Sequence, residues 1–417
     1  MSADDLLGAA FADGTYYSNP YPLFKQLRRE SPVFFSSHLG GWVVSRYSDV
    51  SEILHNHEDY SSKGRVLHLI QQLDQGVQEQ LPLLQMHFAT GLAHSDAPEH
   101  KRLRGLLAQA FTPKMAESMR PITSEVVERV LSRIGGDVDL IEEVFTPIPA
   151  LVVGRLLGSQ ESDIPDLIRW AHAINGLYEK GGRIAPDKAL YAEAMLEEMR
   201  HFVARLTSER RALRDLGKLD PNSDILSALV SAELDGEALS ESELVSTAVT
   251  LFVAGHETTT HLLGNGALAL LSTPGALQSL RDRPELIRSA VDEMARFDGS
   301  VPRSWRITKR EMEISGVEIP AGQLVLPILA SANRDEAIFE NPDAFEIERD
   351  SRKHLAFGRG VHVCLGAPLA RVEGEEILKS LLGKFAQINL VAAPASLQWR
   401  SDVALRGLIA LPVALAH

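Results

Sequence analysis

A chain of 417 residues with 45% apolar, 24% charged and 6% aromatic side chains has the mixture of a globular protein with a sizeable core, far from disordered, collagen-like or coiled-coil compositions. Its 42 Lys and Arg against 56 Asp and Glu leave a net charge of −14, a field that repels nucleic acid and anionic membrane. The single cysteine, Cys364, excludes an intramolecular disulfide framework, a cysteine-rich zinc site and a four-cysteine iron–sulfur cluster.

The opening residues, Met1 to Gly14, carry no basic segment ahead of an apolar one, and nowhere do about 18 apolar residues follow one another, which predicts a soluble, cytoplasmic chain. No linker, low-complexity tract or fixed-period repeat interrupts the turns, so residues 1–417 read as one compact unit. The first elements are strand-like: Val33–Phe35 and Trp42–Ser45 flank Gly40-Gly41 as a hairpin. From 63 to 93 runs a long connector holding Leu67, Leu69, Ile70, Leu73, Leu84, Met86 and Phe88 among six glutamines. Helical spacing then dominates, near 97–111, 114–134, 161–176, 185–213, 241–271, 284–297 and 365–382. Three short β-branched or alternating pieces, Glu311–Ile319, Leu324–Ile328 and Leu405–Val413, predict further strands. The expected class is mainly α with small β-sheets.

The longest predicted helix, from Ser240 to Leu271, opens with a capping box in which Ser240 precedes Glu243 by three residues, and Ser272-Thr273-Pro274-Gly275 stops it. At 1.5 Å per residue it spans about 48 Å, enough to cross a domain of this size. Leu244–Ala254 is almost wholly apolar, so the helix should be buried on most sides. A membrane span is unlikely to carry His256-Glu257 and several threonines at its middle.

Around the cysteine the chain reads Phe357-Gly358-Arg359-Gly360-Val361-His362-Val363-Cys364-Leu365-Gly366, ahead of an amphipathic helix. A thiol just before a helix start meets unpaired backbone N–H groups and the positive end of the helix dipole, both of which favour thiolate. Glycines at 358 and 360 would let backbone approach a flat partner closely. A thiolate offered from such a loop suits a haem iron.

These ten residues resemble the haem-binding signature of the cytochrome P450 monooxygenases, and three further motifs follow that family's order. Ala254-Gly255-His256-Glu257-Thr258-Thr259 resembles its oxygen-binding groove, Glu293-Met294-Ala295-Arg296 its Glu-x-x-Arg pair, and Asp96-Ala97-Pro98-Glu99-His100-Lys101-Arg102-Leu103-Arg104 the early haem-flanking helix of bacterial members. The resemblance implies the P450 fold, with a long central helix over a buried haem b and Cys364 as the iron ligand. It implies that Thr258 and Glu257 steady dioxygen and relay protons. His100, Arg104, Arg306 and His362 would hold the haem propionates, Phe357 and Gly358 the haem face, and Ala254, Val301 and Leu405 the substrate. The connector 63–93 and the helix pair near Ala171–Tyr191 would form a lid, while Glu293 and Arg296 would be a buried structural pair with Arg334 as third partner.

The implied activity is insertion of one oxygen atom into a mostly apolar molecule, terpenoid, polyketide, steroid or fatty-acid-like, using dioxygen. With no flavin or iron–sulfur segment in the sequence, electrons from NAD(P)H would arrive through a reductase and a ferredoxin or flavodoxin. Arg352, Lys353, Arg359, Arg371 and Lys379, with Lys101 and Arg102, would steer that donor to the cysteine face. A peroxide-driven peroxygenase is the rival on this fold, disfavoured by the Glu257–Thr258 pair. A non-enzymatic haem carrier or sensor would need neither that pair nor a lid.

Overall fold

The computed structural model describes residues 1–178, 182–234 and 236–417. Its axis is the helix Glu241–Ser272. The capping box forms: Ser240 Oγ accepts from the Glu243 amide, and Glu243 Oε2 accepts from the Ser240 amide at 2.9 Å. Helices Pro147–Leu157, Ile164–Asn175, Pro186–Asp215 and Ile287–Asp298 pack around this axis, so even His256, Glu257 and His261 at its middle are buried. Against Ile287–Asp298 and Arg120–Leu131 lies the helix that follows the cysteine, Ala367–Lys384. No helix among the described residues is long and apolar enough to cross a membrane.

The strands form three small sheets. The five-stranded one runs β1 (Val33–Ser36), β2 (Gly41–Val44), β8 (Leu324–Pro327), β5 (Arg306–Thr308), β3 (Tyr60–Ser61), with β2 and β8 parallel and the other pairs antiparallel. A second joins β4 (Gly136–Asp139), β10 (Pro412–Ala416) and β9 (Gln387–Leu390). The third is the hairpin β6 (Met312–Ile314) and β7 (Val317–Ile319).

Three expected elements come out differently. The helix expected over 114–134 is two, Pro113–Ser118 and Arg120–Leu131, because Pro121 lacks an amide and is tolerated only in a first turn. Glu311–Ile319 is a hairpin and not one strand, folding over Ser315 and Gly316 at φ 49° and 81°, the paired positive values that a tight two-residue turn requires. In Leu405–Val413 only the last two residues enter a strand. Before them the chain is tied to helices instead: Arg406 donates its amide to Ser300 O at 2.8 Å, and its guanidinium Nε contacts Asp298 Oδ1 at 2.6 Å.

Candidate active site

One cavity of about 430 Å³ gathers most of the residues singled out in the sequence: His100, Arg104, Ala254, Thr258, Val301, Arg306, Phe357, Gly358, His362 and Cys364 all line it. Glu257 and Leu405 are not in its lining.

Cys364 sits three residues before the helix Ala367–Lys384, its amide donating to Phe357 O at 2.9 Å to close the loop. Its accessible surface is cavity surface. Burial pushes the thiol above its ordinary pKa; the amides of Gly366 and Ala367 and the charges of Arg104 and Arg371 pull the other way without prevailing. The helix start alone therefore does not yield the thiolate expected from the sequence, and a bound metal cation would supply the rest.

The two glycines of the loop serve different ends. Both take positive φ, 71° at Gly358 and 74° at Gly360. A Cβ on Gly360 would stand 2.8 Å from Leu54 O and 2.9 Å from His55 Cα, so the close approach there is to the end of the helix Tyr47–His55 and not to a flat ligand. At Gly358 the nearest obstacle is His362 O at 3.7 Å, and only the backbone angle demands glycine.

The cavity edge carries four donors, none in an ion pair with an acid among the described residues. The His100 ring lies 4.0 Å from that of His362, and His100 Nε2 is enclosed without a partner. Arg306 donates to Ser304 Oγ at 3.2 Å and Trp305 O at 2.7 Å, while Arg104 makes no hydrogen bond or ion pair to a described residue. Burial lowers all four, His362 to about 3 and Arg306 to about 10. Asp96, the acid in their field, is occupied by Ser61 Oγ at 2.6 Å, the Ser62 amide at 2.8 Å and Lys309 at 3.5 Å. Two buried donors, His100 and Arg306, beside two half-buried ones, Arg104 and His362, favour an anionic group from outside the chain, and a haem with two propionates meets that demand with Cys364 on the same cavity.

Across the cavity the central helix presents Ala254, Gly255, Thr258 and Thr259. Thr258 Oγ1 donates to Ala254 O at 2.5 Å and Thr259 Oγ1 to Gly255 O at 2.9 Å. The helix stays unbroken there, so these hydroxyls occupy carbonyls without opening it. A Cβ on Gly255 would come within 3.1 Å of Val153, fixing how closely the neighbouring helix approaches. Glu257 turns the other way: Asn175 Nδ2 donates to its Oε2 at 2.7 Å, Arg400 stands 3.1 Å from its Oε1, and His261 Nε2 lies 3.6 Å away. Although burial raises it, His261 and Arg400 hold its pKa down at about 2.

Glu293 and Arg296 form a fully buried fork-to-fork pair with both N···O distances at 2.7 Å. Arg296 also donates to Asn333 O, Pro342 O and Ala344 O. The third ionic partner is Arg349, 3.2 Å from Glu293 Oε1. Arg334, expected in that place, lies with its guanidinium 3.5 Å from the Phe297 ring centre and donates to Phe297 O.

Of the connector 63–93, Leu92 and Ala93 reach the cavity, whereas Ile70 and Leu84 belong to the main core. Residues 179–181 of the expected lid pair lie outside the described residues. Among the cations expected on the cysteine face, Lys101, Lys353, Arg359 and Lys379 are exposed. Arg352 is paired with Asp350, Arg102 with Glu243, and Arg371 is half-buried with Nε 2.6 Å from Asp292 and its guanidinium 4.9 Å from the Phe357 ring centre. Sequence reasoning did not find Arg400, Asn175 or Arg349, each far along the chain from its partner with no local pattern to mark it.

A mostly helical fold that sets a lone cysteine on one cavity with a threonine-bearing central helix is the arrangement of the haem-thiolate class of proteins. The comparisons agree: the Cytochrome P450 family model matches residues 186–399. The chain is 34% identical to the polyketide biosynthesis cytochrome P450 PksS of Bacillus subtilis, over 96% of this chain and 97% of that one. It is 32% identical to the 6-deoxyerythronolide B hydroxylase of Saccharopolyspora erythraea, over 96% and 97%. The structure of Bacillus subtilis PksS superposes with a TM-score of 0.84 at 32% identity, covering 96% of this chain and 98% of that one. The chain belongs to the cytochrome P450 family and is a haem-dependent monooxygenase of bacterial type.

Proposed function

We propose that this P450 hydroxylates or epoxidises a mostly apolar small molecule in the cytoplasm, with electrons passed from NAD(P)H through a reductase and a ferredoxin or flavodoxin. In the net reaction dioxygen, two electrons and two protons give one oxygen inserted into the substrate and one water. Relatives named for polyketide biosynthesis and for vitamin D(3) 25-hydroxylation support a terpenoid, polyketide, steroid or fatty-acid-like substrate.

The observation that carries the reading is the shared cavity of Cys364, the donors His100, Arg104, Arg306 and His362, none of them in an ion pair with a described residue, and Thr258. Haem, when bound, supplies the oxidising chemistry, tuned by its thiolate ligand. The four donors would hold its propionates, with both histidines neutral and donating N–H. Cys364 would be held as thiolate by the amides of Gly366 and Ala367 once the metal is present. Thr258 Oγ–H, now given to Ala254 O, would deliver a proton to the reacting space from the central helix, and Glu257, once protonated, would resupply it after releasing Arg400. Ala254 and Val301 would wall the substrate, which arrives beneath Leu92 and Ala93.

The spectrum of the reduced carbon monoxide adduct tests this. A thiolate-type Soret band is expected, and its loss in Cys364→Ser. The same thiolate band in that variant would overturn the assignment.

A further inference from the structure

Behind Trp305, outside the cavity lining, lies a second cationic group. Arg65 opens the helix Arg65–Ile70 of the connector. It is only 9% exposed, makes no hydrogen bond or ion pair to a described residue, and has its Nε enclosed without a partner. Arg303, 6% exposed, gives Nε to Val403 O at 2.9 Å and leaves Nη2 enclosed and unpartnered. The Arg65 guanidinium lies 5.6 Å from the Tyr178 ring centre and 5.9 Å from that of Trp305. Trp305 in turn stacks on His94, ring centres 5.6 Å apart, and both line the cavity.

Arg303 lies two residues before Trp305, beside whose ring Arg65 sits, so the two arginines flank the seam between lid and base and the charge of one reaches the other. Arg65 and Tyr178 come from the lid side; Arg303, Trp305 and Tyr16 from the base. A Cβ on Gly182 would stand 3.1 Å from Arg303 Nη2, which shows how closely the lid covers it. The Tyr16 hydroxyl is buried, unpartnered and in the field of Arg303. Among the described residues no carboxylate forms an ion pair with either arginine. Asp402, whose charge reaches the same tyrosine, accepts from the Ala404 and Leu405 amides and forms an ion pair with neither arginine. Burial and the neighbouring charge of Arg303 bring Arg65 down to about 10.

This group is separate from the haem edge, where His100, Arg104, Arg306 and His362 act on one another. Two enclosed guanidiniums of like charge are costly unless an anion joins them, and their fork geometry suits a planar carboxylate. Resting on the monooxygenase reading above, we propose that Arg65 and Arg303 bind the carboxylate of the substrate, an amphipathic acid whose apolar chain passes Trp305 toward Thr258 and Cys364.

The test compares dodecanoic acid with its methyl ester by equilibrium dialysis against the haem-loaded protein, a readout that needs no turnover. The acid should bind about tenfold tighter or more than the ester, the range expected for charge-assisted hydrogen bonds to a buried partner. Arg65→Gln and Arg303→Gln should each abolish the preference while leaving ester affinity unchanged, and Arg65→Lys should retain part of it. Equal affinity of acid and ester for the wild-type protein, or a preference surviving both glutamine variants, overturns the proposal. Since dialysis is independent of the carbon monoxide spectrum, a normal thiolate band with no preference rejects this inference alone, whereas an absent band rejects the monooxygenase reading.

Discussion

Nη2 of Arg400 stands 3.1 Å from Oε1 of Glu257, holding the carboxylate of the central helix away from the cavity that its neighbour Thr258 lines. Acid and alcohol are adjacent in sequence yet face opposite sides of the helix wall, so any proton passed between them requires the ion pair to open.

The pair sets an acid-side dependence of stability. Glu257 is depressed from 4.5 to about 2, so its contribution is complete above pH 4.5 and is lost as pH falls toward about 2. Glu257→Gln should flatten that limb of the unfolding curve. Arg400→Ala should destabilise at neutral pH by about 1–3 kcal/mol, discounted because the arginine is one-third exposed. The double variant should recover part of the loss, as read by thermal unfolding against pH.

At the Glu293–Arg296 fork, Arg296→Ala should cost about 3–5 kcal/mol because it leaves a buried carboxylate with only Arg349, Ser351 and the Glu346 amide and takes a donor from three carbonyls. Arg296→Lys should rescue little, since one ammonium cannot reproduce the bidentate contact. Denaturant midpoints of the two variants check this, and equal midpoints for lysine and wild type would refute it.

Gly360→Ala should destabilise more than Gly358→Ala. Both incur roughly 1–2 kcal/mol for left-handed backbone, but only the former drives a Cβ into Leu54 O at 2.8 Å. Unfolding midpoints and haem retention should rank them in that order.

Thr258→Ala should retain haem, because no cavity-edge donor is touched, yet divert electrons to hydrogen peroxide at the expense of product. Peroxide and product measured against NAD(P)H consumed decide it; full coupling would remove Thr258 from the proton path.

Donor docking at the cysteine face should depend on the exposed Arg359, which donates to Ser51 Oγ at 3.1 Å and forms no ion pair with a described residue. Arg359→Glu should slow reduction by an acidic ferredoxin, more so at low salt, with substrate binding unchanged. Arg371→Glu is expected to loosen the Asp292 and Phe357 contacts instead, lowering stability. Rates indifferent to salt and to Arg359→Glu would place the donor elsewhere.

Local chemistry was enough to read the elements from sequence. The Ser240–Glu243 box, the helical spacing up to Ser272 and the glycine loop before Cys364 are each specified within a few residues, and most of the residues singled out by motifs that resemble a known family line the cavity. Long-range partners were not legible. Arg400 opposite Glu257, Arg349 in place of Arg334 beside Glu293, and the commitment of Arg371 to Asp292 depend on which surfaces the packed helices bring together. So does the placing of Arg65 within reach of the charge of Arg303. A guanidinium can reach many carboxylates, and only the closed core selects one, or leaves none.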